Sequence, residues 1–536
     1  MGWRAEAAAV REGAVGRMGD GMSRVPVLRV AYAMLAEPTK AGDLLLVACS
    51  TLLMCAFLVL QVDGPYDTDG WFLLATGREI VENGIPVSNP WAYDAQGGEY
   101  AFVAQQWLHA AMLYLAYSAF GYAGCDGLAV CISALLFLAL WASMRSFAPE
   151  GAPAARYACC CLAVSGCSFY MSVRPTMWTM VCLCLTVSIC LRWRRSGRPR
   201  TLAPLPAVML FHAQVHMSMM WLDVFAAACF LLPCGREAGH WARPQRSARL
   251  PLVIAVIAMA AAAFVNPYGA DGALYLLNSY GAAGYRCTIS ELQPIAGAAP
   301  LIVGLFAVYA LAPIFAMLGK GRLAPIPVVA LWAASLIAFA AAIRSIWIAA
   351  VAASFVVCAL LKDGRPAAGR LAGLRASASL ALLGCLAVPL CIAWTAATAP
   401  QGLDAYSRSV GEGAYCICGW EQGEREMGEI SELILSDPGR VYVRWEILDS
   451  CLEWNGVKVV FDARPEVWEP GITGSCAHPW RDFVDHILDG SSGYLDAGEW
   501  RWYVVPSAEA EGYCEALGLA VAHDTGMFAL LEKAAD

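Results

Sequence analysis

Charge is what this sequence has least of: Asp, Glu, Lys and Arg make up 15% of its 536 residues, against 59% hydrophobic residues. A soluble chain with that balance would not stay in solution, so the solvent for most of this protein is a bilayer. A basic excess is missing too, the formal net charge being −8; no nucleic-acid partner is expected, although the charge is segregated along the chain rather than spread evenly. The C-terminal region lacks a Gly-rich phosphate loop, a Cys-x-x-Cys pair and a nucleophile elbow, and the chemistries those carry are excluded there. Cysteine is plentiful at 22, but most sits in apolar runs such as Cys159-Cys160-Cys161, where a thiol packs as a small hydrophobe. No metal cluster is expected among those. Cys416, Cys418, Cys451, Cys476 and Cys514 near the C-terminus form an odd set, able to hold one or two disulfides in an oxidising compartment.

The apolar runs carry the fold class. Leu44 to Val62 is long enough to cross ~30 Å of hydrocarbon at ~1.5 Å per residue, and no small-residue cleavage site follows it. Residues 1–40 show no apolar period and read as a disordered cytoplasmic N-terminus. Basic residues collect in short loops: Arg192 to Arg200, Arg236 to Arg249, Lys320 with Arg322, and Lys362 to Arg375. These mark the cytoplasmic side, whereas acidic residues dominate after the first run, from Asp271 to Glu291, and beyond Gln401, which places those regions outside. Further crossings then fall near Leu128–Met144, Tyr157–Val173, Met177–Leu191, Leu202–Met217, Met219–Leu232, Leu250–Val265, Leu301–Leu318, Ile326–Ala342, Ile346–Leu361 and Ala376–Thr395. The expectation is a polytopic α-helical membrane protein of about eleven transmembrane helices, with a membrane domain over 41–397 in the plasma membrane. Trp107 to Phe120 is excluded from that count, because a crossing there would push Arg194 and Arg195 outside; it reads as an interfacial helix. A short span paired with a re-entrant helix elsewhere is the alternative.

Residues 398–536 change to a soluble composition and read as an extracytoplasmic α/β domain. Its expected elements are helices at Met427–Leu435, Ile447–Trp454, Trp480–Leu488 and Glu509–Leu517, and strands at Arg440–Trp445, Val457–Phe461, Trp502–Val505 and Met527–Leu531.

Between Val62 and Gln105 the chain carries Asp63, Asp67, Asp69, Glu79, Glu82, Asp94 and Glu99 against one base, Arg78. This acidic outer loop, 63–105, is where chemistry is expected. Asp67 and Asp69, just past the membrane end, are expected in an extended segment that aims them at opposite faces, one toward a substrate and the other toward a cation or base. A solvated acidic turn is the plain alternative. His212 and His216, four residues apart, have the spacing of a metal pair on one helix face, or of ordinary core histidines near an interface.

Asp67-Thr68-Asp69-Gly70-Trp71, Ala75-Thr76-Gly77-Arg78, Gly84-Ile85-Pro86 and Gln106-Trp107-Leu108, taken together, resemble the first outer loop of bacterial GT-C superfamily glycosyltransferases of the polyprenyl-phosphate-sugar-dependent kind. The resemblance continues through Arg174-Pro175, Gln214-Val215-His216, Asn266-Pro267-Tyr268-Gly269, Ile289-Ser290-Glu291 and Phe461-Asp462-Ala463-Arg464. It implies an acidic residue at Asp67 or Asp69 acting as general base on an acceptor hydroxyl, with transfer from a polyprenyl-phosphate-linked sugar to an envelope glycan, lipid or protein. Trp71, Arg174, His216, Asn266, Tyr268, Glu291 and Arg344 are the expected substrate-binding residues, the arginines because a guanidinium grips two phosphate oxygens. No cofactor is implied beyond a candidate divalent cation at Asp67 and Asp69. Two positions depart from the pattern: Leu73 stands where a His is usual and Gln106 where a Glu is usual, so His109 or His216 must compensate or the chain binds without catalysing. A lipid or glycan transporter and a non-catalytic scaffold are the alternatives.

Overall fold

The structure, a computed structural model, describes residues 69–93, 99–149, 153–167, 170, 173–233, 249–280, 292–361, 420–443, 446–459 and 500–533. The expected crossings Leu44–Val62 and Ala376–Thr395, and the candidates Asp67, Glu291, Asp462 and Arg464, lie outside these residues.

The acidic segment is not one loop. It opens with helix α1 (Asp69–Glu82) and continues into a hairpin of β1 (Ser88–Tyr93) and β2 (Glu99–Ala101). Asp69 is therefore helical, rather than part of the extended segment expected there. The reason is local: Trp71, Leu74 and Ala75 recur at helical spacing and are buried. Helix α2 (Trp107–Phe120) follows and packs so closely on α1 that Gly77 lies against its backbone.

Nine helices then alternate between two ends of a bundle: α3 (Tyr122–Phe147), α4 (Pro153–Cys167), α5 (Thr176–Ser196), α6 (Leu205–Val215), α7 (Trp221–Cys229), α8 (Leu250–Ala262), α10 (Pro300–Lys320), α11 (Ile326–Ala341) and α12 (Ile346–Leu361). A further helix, α9 (Ala270–Tyr280), stays at one end. Each of the nine overlaps an expected crossing. Among the described residues, four helical segments are long and apolar enough to cross a membrane: α3, α5, α10, and α12 with the turn before it. Helix α12 forms the centre, with 83% of its apolar window buried, whereas α10 is peripheral, with 11% buried and Phe315 and Leu318 exposed as lipid contacts would require. Small residues let α12 approach α4, since a Cβ on Gly166 would lie 2.4 Å from Ala350 Cβ.

One end of the bundle is basic, and its cations have work inside the fold. Arg194 donates to the carbonyls of Phe230 and Leu232 beyond α7, Arg195 to Phe147 of α3, and Arg322 to Leu360 of α12. Helices that end there leave carbonyls without intrahelical partners, and guanidinium groups satisfy them. Arg194, expected in a solvated loop, is 2% exposed.

In the C-terminal region, α13 (Trp420–Ser436), β3 (Val441–Val443), α14 (Glu446–Trp454), β4 (Trp502–Pro506), α15 (Ala510–Leu517), β5 (Leu519–Asp524) and β6 (Phe528–Lys533) form an α/β unit. The sheet order is β3-β4-β6-β5; β3 and β4 are parallel and the other pairs antiparallel. The expected strand from Val457 does not join it: Val459 donates instead to Trp91 of β1 at 2.8 Å.

Candidate functional site

The end opposite Arg194 gathers most of the described candidates. Thr176, at the start of α5, follows Val173-Arg174-Pro175, and the turn is fixed by His109 of α2. His109 is fully buried, its Nε2 bonded to the Val173 carbonyl and its Nδ1 accepting from Trp178 Nε1 at 3.3 Å. Arg174, half-buried, follows the Val173 carbonyl that the histidine holds.

Helix α6 ends at the same level. Gln214 ties three elements together, accepting from Trp107 Nε1 at 3.3 Å and donating to the Val265 carbonyl at 2.7 Å. His216 leaves the helix with φ −161°, and the next residue, Met217, donates to the Gln105 carbonyl at 2.9 Å. The end of the acidic segment is therefore anchored to the bundle beside His216.

Asn266 and Tyr268 build the neighbouring turn. The Asn266 amide donates to the carbonyls of Ala263 and Gly269, each at 2.9 Å, while its oxygen accepts from the Tyr268 N–H. The Tyr268 hydroxyl donates to the Pro86 carbonyl at 2.8 Å, just before β1. These bonds shape the turn, and Tyr268 ties it to the outer segment. Arg344 sits half-buried in the turn before α12, with His216 in electrostatic range. Trp71 is 3% exposed and packs in the core near Tyr122. Leu73 and Gln106 are also buried, so the position where a His is usual faces the core.

His212 and His216 are linked through a hydroxyl. The Thr179 hydroxyl stands between them, 2.9 Å from His212 Nε2 and 2.7 Å from His216 Nδ1, and His212 Nδ1 bonds Asp223 Oδ2 at 2.8 Å. Cys182, His212 and Asp223, all buried, offer donor atoms within 4.8 Å of one another, and His212 is hydrogen-bonded through both ring nitrogens, to Thr179 and to Asp223. Sequence reasoning missed Thr179, whose only signal is a polar residue one turn into an apolar helix. The arrangement can bind anions at Arg174 and Arg344 and hold protons on a linked pair of imidazoles.

No protein-family model and no curated protein sequence matches this chain. Its fold does match solved structures. The archaeal oligosaccharyltransferase AglB from Archaeoglobus fulgidus, in complex with an inhibitory peptide and a dolichol-phosphate, aligns over 92% of this chain and 74% of its own, at 13% identity and a TM-score of 0.50. The same oligosaccharyltransferase tethered to an acceptor peptide gives 89% and 71% coverage, 12% identity and a TM-score of 0.49. ArnT from Cupriavidus metallidurans bound to undecaprenyl phosphate gives 93% and 99%, 13% identity and 0.48. The chain thus has a GT-C-like membrane fold, in a sequence far diverged from those solved structures.

Proposed function

We propose that the protein is an integral-membrane glycosyltransferase that moves a sugar from a polyprenyl-phosphate carrier to an envelope glycan, lipid or protein, at the end of the bundle opposite Arg194. The observation that carries this reading is the convergence there of Arg174, His216 and Arg344 with the anchored end of the acidic segment. The GT-C-like fold supports it, AglB having been solved with a dolichol-phosphate. In this reading that end faces outward and the C-terminal unit is extracytoplasmic, because the basic end is retained on the cytoplasmic side.

The chemistry asks for two things. An attacking hydroxyl needs a carboxylate within hydrogen-bond reach, the role of Asp67 or Asp69. The departing polyprenyl phosphate already carries its charge and needs cations rather than an acid, the role of Arg174 and Arg344. Glu291 is a third carboxylate on the outer side.

Asp67→Asn and Asp69→Asn test the reading: one of them is expected to lower transfer by about 100-fold or more while membrane insertion stays intact. The readout is mass analysis of envelope fractions against a deletion strain. Normal glycan in both variants ends the carboxylate-base mechanism. A divalent cation is the second role open to the pair, and loss of transfer on chelation, restored by added magnesium or manganese, marks it. Movement of labelled lipid without a new glycosidic bond would favour a transporter instead.

A further inference from the structure

Cys182 of α5, His212 in the last turn of α6 and Asp223 in the first turn of α7 come together inside the end of the bundle that anchors the acidic segment. Their donor atoms lie within 4.8 Å of one another, and none of the three residues is more than 1% exposed. Spacing along the chain does not announce this group, because Cys182 belongs to an apolar run and the trio forms only through the packing of three helices. Asp223 is the residue that needs a further partner. Its Oδ2 meets His212 Nδ1 at 2.8 Å, but its Oδ1, equally buried, has no hydrogen-bond partner among the described residues. No described Lys or Arg forms an ion pair with it. A carboxylate this deep in an apolar bundle is costly unless both oxygens are satisfied and its charge is opposed.

We infer that Cys182, His212 and Asp223 hold a zinc ion that staples α5, α6 and α7 together. Thiolate, imidazole and carboxylate form a zinc donor set, and the sulfur selects against magnesium and calcium. Charge supports the same ion: the thiolate and the carboxylate bring two negative charges, zinc two positive and the imidazole none, so the loaded site is neutral inside the bilayer. Binding expels the Cys182 thiol proton, and zinc takes the place of the hydrogen between His212 Nδ1 and Asp223. Asp223 Oδ1 then becomes a donor to the ion beside Oδ2, which gives the orphaned oxygen a function. Bonds of about 2.0–2.3 Å set ligand atoms roughly 3.3–3.8 Å apart around a tetrahedral zinc. Rotation of the Cys182 and Asp223 side chains closes the present spread, which runs from 2.8 Å to at most 4.8 Å.

Thr179 completes the arrangement from one turn earlier on α5. With Nδ1 on the metal, the His212 ring carries its hydrogen on Nε2 and donates it to the Thr179 hydroxyl at 2.9 Å, while Thr179 passes its own hydrogen to His216 Nδ1 at 2.7 Å. An acceptor on the far ring nitrogen is how metal-bound histidines are oriented. A His212–Asp223 hydrogen bond without metal leaves both Oδ1 and Cys182 unused. The staple also has a structural purpose: the turn between α6 and α7 carries Met217, whose N–H holds the Gln105 carbonyl, so the ion fixes the point where the acidic segment is anchored. None of this depends on glycosyl transfer.

The test uses the full chain in detergent, purified through a tag without histidine. Elemental mass spectrometry is expected to find about one zinc per chain, lost in Cys182→Ser and in Asp223→Asn but kept in Cys184→Ser, which lies outside the trio. Protein produced with cobalt in place of zinc is expected to show a thiolate-to-cobalt charge-transfer band that Cys182→Ser abolishes. Dipicolinate should lower the thermal midpoint of the wild type and leave that of Cys182→Ser unchanged. Wild-type protein that carries no zinc and takes up none when zinc is added overturns the inference, and that result needs no variant to fold. Zinc retained equally in Cys182→Ser and Asp223→Asn overturns it too, because the metal then sits on other thiols.

Discussion

Gly77 shows how much one residue decides in the outer segment. A Cβ there would lie 2.1 Å from the Ala110 carbonyl oxygen and 2.8 Å from Tyr114 Cβ, so α1 and α2 touch only because the side chain is missing. Gly77→Ala is expected to cost about 1–3 kcal/mol, read as a lowered thermal midpoint in detergent. The C-terminal unit has its own sensitive position. Asp524 accepts from the Ser507 hydroxyl at 2.6 Å and the Gly526 N–H at 2.8 Å, and these bonds hold its carboxyl below the usual carboxylate range. A depressed folded value means the stabilisation is complete above the unfolded carboxyl's pKa of about 3.9 and is lost as pH falls through the folded one. Asp524→Asn should remove that acid-side dependence, visible in unfolding midpoints compared at pH 5 and pH 3. Neither residue's role was legible beforehand: Gly77 is quoted only as part of a motif, and Ser507 and Asp524 meet through a turn that nothing in the local sequence announces. Arg174, His216 and Arg344 stand out in the sequence, because charge and imidazole at the ends of apolar runs are costly unless they serve something.

Helix α14 is the element that joins the two parts of the protein. Trp454, 5% exposed, sits with the Arg78 guanidinium 4.5 Å above its ring, Tyr117 5.1 Å away edge-on, and Glu424 accepting from its indole at 3.3 Å. Arg78, the one base of the acidic segment, is thus spent on a ring of the C-terminal unit. Trp454→Ala removes the ring from this contact, at a cost of about 3–5 kcal/mol for a buried aromatic. The expected result is faster protease cleavage around α14 while the bundle stays intact; Trp454→Phe, which keeps packing but loses the indole donor, should fall between. Elements with strong periods were legible, α2 falling on Trp107–Phe120 as expected. Those fixed by partners were not: the segment at Val459 looked like a strand of the C-terminal sheet, but its donor goes to Trp91, and β5, exposed over most of its length, gave no apolar alternation to follow.

The polarity of the whole bundle follows from charge. Helices α3, α5, α7, α10 and α12 all end at the basic face, where arginines cap carbonyls, and the opposite end carries the histidines and the anchored acidic segment. The positive-inside preference turns this internal polarity into an orientation, and the proposed chemistry depends on it, since an acceptor in the envelope can be reached only from outside. Ala299, exposed before α10, and Arg198, exposed after α5, lie at opposite ends. In intact cells Ala299→Cys is expected to react with a membrane-impermeant maleimide, whereas Arg198→Cys should react only after permeabilisation, each compared with the wild-type thiol background. The reverse pattern would put Arg174, His216 and Arg344 on the cytoplasmic side. The proposed phosphate contacts would then face the cytoplasm instead of the envelope, and transfer to an external acceptor would have no path.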